Sequence, residues 1–286
     1  MRTFLYGLAL VFGALALGPS QQTVSESPMV LPNKPDSLKF AVLGDFGTGG
    51  RAQYELAGQM AALRGRFRFD RVITVGGNIY GSERPRDFLE KFETPYKPLL
   101  AAGVTFHAAL GEEDSREQRY YKLFNMNGRL HYTFSPKPNV QFFALDAGSP
   151  SPDQTQWLEQ QLRDSTSAWK IAFFHSPLYS SGDRADARLR AALEPLFVKY
   201  NVSVVLTGRD HFYERTKPQS GIVYFVVGSG GKLRQANRAE GSGLTAKRFG
   251  ADHAFMAAEI AGDEMFFIAV SRQGQTVDSG VLGRRH

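Results

Sequence analysis

Five short apolar runs, each broken off by a glycine-bracketed polar loop, constrain this chain more than any other feature. Leu43 is followed by Gly44-Asp45-Phe46-Gly47, Val75 by Gly76-Gly77-Asn78-Ile79-Tyr80, and Leu110 by Gly111-Glu112-Glu113-Asp114. Phe174 leads into His175-Ser176-Pro177-Leu178-Tyr179-Ser180-Ser181-Gly182, and Thr207 into Gly208-Arg209-Asp210-His211. Apolar runs of this length between turn residues read as buried strands, and glycine lets the backbone turn sharply where each one ends. In open α/β sheets, function collects in the loops beyond the carboxyl ends of the strands. The order of these loops therefore converges Asp45, Tyr80, Glu112, Glu113, Asp114, His175, Asp210 and His211 on one sheet edge. Carboxylate, phenol and imidazole together form a hard-to-borderline donor set, suited to iron, manganese or zinc.

Strand and helix patterns alternate through the first two thirds of the chain. Strands are expected at Leu38–Leu43, Arg71–Val75, Val104–Ala108, Tyr132–Phe134, Val140–Leu145, Ile171–Phe174 and Ser203–Thr207. Helical spacing covers Ala52–Leu63, Arg86–Phe92, Tyr96–Ala101, a stretch ending at Leu123, Gln154–Arg163 and Ala185–Tyr200. The end is almost all strand, at Val223–Val227, Phe255–Ile260, Met265–Val270 and Val277–Leu282. Early β–α alternation with late strand pairs implies α/β architecture, mixed sheets flanked by helices. No repeat or internal linker interrupts residues 38–286, so one domain is expected there. Tyr120, Tyr121 and Phe124 fall at helical spacing and read as core residues, and His107, His131 and His253 as structural or exposed ones.

Arg2 precedes an apolar run from Phe4 to Leu17 and then small residues, the pattern of a secretory signal peptide over residues 1–20. Its apolar run is short for a membrane span, so membrane attachment would need this segment to stay uncleaved. Residues 21–37 are polar and aperiodic and read as a tether. The absence of cysteine excludes disulfides and thiol chemistry. Together these features fit a periplasmic or secreted protein stabilised by its core alone. A net charge of +6 suits phosphorylated ligands, but Lys and Arg are scattered without a basic block, and no nucleic-acid partner is expected. Gly228-Ser229-Gly230-Gly231-Lys232 lacks the spacing of a phosphate-binding loop and reads as a turn at the site rim.

The five loops resemble the sequence blocks of the calcineurin-like metallophosphoesterases, in particular the purple or tartrate-resistant acid phosphatases. That branch reads Gly-Asp-x-Gly, Gly-Asp-x-x-Tyr, Gly-Asn-His-Asp/Glu, a His in the fourth block and Gly-His-x-His in the fifth. The likeness runs from about Leu38 to Leu282 and implies a four-layer α/β/β/α sandwich of two mixed β-sheets. It also implies two bridged metal ions and a metal-bound hydroxide that attacks phosphorus. Carried over position by position, it makes Asp45, Tyr80 and His211 ligands of the first ion and His175 a ligand of the second. The bridging Asp falls on Gly77, the Asn ligand on Glu112, the catalytic His on Glu113 and a second-ion His on Arg209.

These replacements set the expectations. One iron, manganese or zinc ion can be held by Asp45, Tyr80 and His211, whereas a dinuclear centre lacks its bridge and meets a permanent cation at Arg209. Glu112 can offer an oxygen to a metal, or pair with Arg209 in place of the second ion. A carboxylate at the catalytic position Glu113 repels a phosphate ester. Three readings follow: a pseudoenzyme serving as a binding or scaffold protein, a mononuclear phosphoester hydrolase, and capture of phosphate by Arg209 and His175.

Overall fold

The computed structural model describes residues 24–25, 30–148, 151–234 and 243–285; residues 1–20, where the signal peptide is expected, lie outside them. In chain order the strands are β1 (Val24–Ser25), β2 (Leu38–Leu43), β3 (Arg71–Val75), β4 (Thr105–Ala109), β5 (Tyr132–Lys137), β6 (Val140–Ala144) and β7 (Trp169–Phe173). They continue as β8 (Val204–Thr207), β9 (Tyr213–Thr216), β10 (Val223–Val227), β11 (Thr245–Phe249), β12 (Ala254–Ala261), β13 (Glu264–Ser271) and β14 (Thr276–Gly283). The helices are α1 (Arg51–Arg66), α2 (Pro85–Phe88), α3 (Lys97–Ala101), α4 (Pro152–Asp164) and α5 (Ala187–Lys199).

Neighbouring residues of one strand serve different cores, because side chains alternate across a sheet. Phe142, Ile171, Phe173, Leu206 and Phe225 join a cluster that also contains Phe40, Val42, Phe255 and Phe267 of the other sheet. Their neighbours Phe143, Ala172, Val205 and Tyr224 face the opposite way, onto Leu158 and Leu162 of α4 and Leu189, Leu193 and Phe197 of α5. Edge-on ring contacts at 5.3 Å between Phe40 and Phe142, and at 5.1 Å between Phe225 and Phe267, join the sheets across their shared core. Among the described residues each sheet has seven strands. One runs β1-β14-β13-β12-β2-β3-β4 and the other β11-β9-β10-β8-β7-β6-β5. In the first, β2, β3 and β4 are parallel and the rest antiparallel. In the second, β6, β7, β8 and β10 are parallel. The architecture is the expected four-layer α/β/β/α sandwich of two mixed sheets.

Local chemistry sets the helix limits. Ser151 and Asp186 accept backbone N–H groups at the starts of α4 and α5, and Pro152 sits at the first position of α4, where its missing donor costs nothing. The stripe Leu56, Met60 and Leu63 turns one face of α1 inward.

Several expectations need correction. The stretch ending at Leu123 forms two short 3₁₀ turns, Arg116–Tyr120 and Lys122–Phe124, instead of a helix, the second closed by Asn125 at φ +52°. Phe124 is in the core and half-buried Tyr121 packs against it, but Tyr120 is 61% exposed, its ring lying under the Arg119 guanidinium. Strands β9 and β11 were missed. Within β9, Glu214 and Arg215 break the apolar pattern, yet both are buried. Arg215 pairs with Asp278 of β14 at 2.9 Å and Tyr213 donates to the same carboxylate, a polar tie between the two sheets. Part of the stretch expected as a tether is docked. Leu31 is buried, β1 pairs with β14, and the amides of Asn33 and Lys34 donate to the buried Glu259 carboxylate. Among the described residues no helix is long and apolar enough to cross a membrane.

Candidate metal centre

The five loops leave the carboxyl ends of β2, β3, β4, β7 and β8 and meet where the two sheets adjoin. Asp45 and Phe46 donate backbone N–H groups to Gly76 and Gly77 carbonyls, and Gly208 donates to His175. Among the contacts that cross between the sheets, Arg209 N–H donates to Asp45 Oδ2 at 2.8 Å, and His175 Nδ1 lies 2.8 Å from the Val75 carbonyl. A carbonyl only accepts, so Nδ1 carries the proton, and in the neutral ring Nε2 keeps its lone pair. Asp45 and Arg209 have φ of +53° and +68°, left-handed values that non-glycine residues rarely adopt.

Asp45, Tyr80 and His211 are brought together as expected. Asp45 is fully buried; its Oδ1 accepts the Tyr80 hydroxyl at 2.8 Å and lies 3.4 Å from His211 Nε2. Burial, and then the Asp45 charge, push the Tyr80 phenol far above its ordinary range, so the neutral phenol is the resident form. The Lys232 ammonium stands 4.5 Å over the Tyr80 ring, while the amides of Gly231 and Lys232 both donate to the Asp45 carbonyl. Those amides are spent on the Asp45 loop, in keeping with a rim turn and not a phosphate cradle.

Two of the positions assigned to the second ion, Glu112 and Arg209, are in contact with each other. Arg209 Nη2 lies 2.6 Å from Glu112 Oε2. Arg209 Nη1 donates to the Arg184 carbonyl at 3.4 Å, and Arg184 Nη1 returns a bond to the Arg209 carbonyl at 3.2 Å. Glu113 is exposed, in an open acidic depression with Glu83 and Glu117, near enough for its charge to act on Tyr80. Asp114, expected from the sequence as one of the converging donors, is instead an organiser of the loops. Its buried carboxylate accepts backbone N–H groups from Gly77, Asn78, Ile79 and Gly111 and side-chain amides of Asn78 and Gln118, fixing the second and third loops together. Burial raises its pKa, and those backbone donors pull it back. The place of Asp114 in the third block was the available signal; Lys232 belongs to the turn expected at the site rim, and Arg184 matched no motif.

The sequence profile of the calcineurin-like phosphoesterases matches residues 28–213. The chain belongs to that family. It is 24% identical over 311 residues to the human tartrate-resistant acid phosphatase type 5, covering 90% of this chain and 95% of that one. It is 40% identical over 80 residues to the Fe(3+)-Zn(2+) purple acid phosphatase 12 of Arabidopsis thaliana, 26% of this chain and 17% of the relative. Among solved structures it superposes on GAP50, the anchor in the inner membrane complex of Plasmodium, with a TM-score of 0.73 at 19% identity, covering 87% of this chain and 90% of that one.

The residues present do not fit the family's two-ion centre. Gly77 supplies no bridging carboxylate, and the loop has closed over the place for one. A Cβ built on Gly77 would lie 2.7 Å from Asp45 Cα, 2.8 Å from the Tyr80 hydroxyl and 2.9 Å from Asp45 Oδ1. The backbone there, at φ +65°, disfavours any side chain. A second dication would also face the Arg209 guanidinium. Asp45, Tyr80 and His211 offer a three-donor set for one ion, each donor now engaged in the contacts given above.

Proposed function

We propose that this acid-phosphatase-like chain is a non-catalytic binding or scaffold protein, exported to a periplasmic or extracellular space. The single observation that carries the reading is the closure at Gly77: without a bridge, and without room for one, the paired ions that activate water in this chemistry have no common ligand. The exposed Glu113 adds support, because a carboxylate at that position does not offer the charge of a group assisting phosphoryl transfer. GAP50, of the same fold, is an anchor in a membrane complex, a precedent for binding work on this architecture.

The test is metal content by mass spectrometry after incubation with iron, manganese and zinc, with hydrolysis of p-nitrophenyl phosphate followed in parallel. No turnover above the buffer rate is expected; two ions per chain with turnover would sink the proposal. Convergence of Asp45, Tyr80 and His211 supports a second reading, a mononuclear phosphoester hydrolase. Under that reading one ion binds, His211→Ala abolishes it, and turnover follows metal content. Phosphate capture by Arg209 and His175 requires the anion to displace Glu112 from Arg209, so titration with inorganic phosphate should give tighter binding to Glu112→Gln than to the natural chain.

A further inference from the structure

Two of the positions that depart from the family's metal site answer each other. Residues 112 and 209 correspond to ligands of the same ion, and in this chain they form a direct ion pair at 2.6 Å. Arg184 completes the arrangement, exchanging hydrogen bonds with Arg209 and placing its Nη1 3.9 Å from Glu112 Oε1. The contacts thereby join three loops: that after β4 through Glu112, that after β7 through Arg184, and that after β8 through Arg209. Cross-linking loops from separate strands is the structural service a bound ion performs.

We infer that the Arg209 guanidinium is a built-in cation that takes over the structural role of the second ion. This rests on the non-catalytic reading above and says how the site keeps its shape under it. The substitutions are consistent as a set. A carboxylate is lost at Gly77, one is gained at Glu112, and a fixed positive charge arrives at Arg209 beside it. A guanidinium is suited to the task because it stays charged and presents several donors in one plane, so one side chain reaches both the Glu112 carboxylate and the Arg184 carbonyl. The backbone of the same residue donates to Asp45 Oδ2, so residue 209 also links this cluster to the surviving first-ion residues. Arg209 holds a left-handed φ of +68° while making all these contacts.

The experiment is a double-mutant cycle on the full chain, Arg209→Met and Glu112→Gln singly and together, read as thermal midpoints with EDTA and with zinc. Each single change should lower the midpoint by roughly 2–4 °C, the double change should lower it no further, and the natural chain should melt identically with EDTA or zinc. Arg209→Lys should recover part of the loss, since it keeps the charge without the planar fork. Additive losses, or a natural chain that EDTA destabilises as much as Arg209→Met does, would overturn the inference. Phosphoester turnover measured on the same samples separates the two claims: turnover by the natural chain sinks the non-catalytic reading, while the cycle alone decides whether the arginine is the tie.

Discussion

The two halves of the site have met different fates. On the first-ion side the side chains Asp45, Tyr80 and His211 are retained, and Asp45 is fully buried. On the second-ion side only His175 is retained, buried and bonded to the Val75 carbonyl, while Glu112 and Arg209 are replacements whose side chains stay 42% and 26% exposed. The difference lies in what else each residue holds. Both Asp45 oxygens accept protein donors, Tyr80 O–H and Arg209 N–H, so its loss would strand donors in the interior. At the rim, water can satisfy part of what a substitution leaves behind, so the tie between Arg209 and Glu112 is worth only about 1 kcal/mol. Retained ligands are thus those with structural work independent of a metal.

The comparison breaks most readily at Gly77. Gly77→Asp restores the bridging residue by name, but it forces a side chain into a left-handed position against the Asp45 backbone, with an expected loss of about 3–4 kcal/mol in urea unfolding. Recovery of stability on adding zinc or iron would show that the closed loop reopens around metal. A large effect outside the site must be kept separate in any acid titration. Burial lowers the His107 pKa from 6.5 to about 4, its ring stacked on Phe134 at 3.9 Å. The unfolded chain takes up that proton first, so stability is full above pH 6.5 and falls by roughly 3 kcal/mol as pH drops towards 4. His107→Gln should flatten that slope without altering either half of the site. Asp45→Asn, which suits a left-handed backbone but removes the charge, should cost about 2 kcal/mol by the same unfolding measurement. Tyr80→Phe should cost about 1 kcal/mol, and a larger loss than for Asp45→Asn would reverse their order as hubs. Arg184→Met should cost below about 1 kcal/mol, measured the same way.

Much of this was legible in the residues. The strands show because their apolar runs are short and bounded, and the loops because glycines bracket them. The Arg209–Glu112 contact was foreseeable, since both changes fell on one ion's ligands. Other features leave no linear trace. Glu214 and Arg215 look like a loop because their partners, Asp278 for Arg215 and Ser181 and Thr245 for Glu214, come from distant segments. A missing carboxylate at Gly77 is visible in the sequence; the closure of the Asp45 backbone onto that space depends on neighbouring loops. Arg184 acts through position alone, which no spacing announces.

The tie between Arg215 and Asp278 spans 63 residues, and β2 lies beside β12, a partner made more than two hundred residues later. On the ribosome, therefore, β2 waits for that neighbour until more than two hundred further residues have been made, and the two sheets gain their buried polar link only when Asp278 emerges. Such a chain cannot complete its sandwich early. Under the export proposed above, that delay is useful: a polypeptide still lacking β12 to β14 remains threadable, and the arrival of those strands becomes the signal to fold.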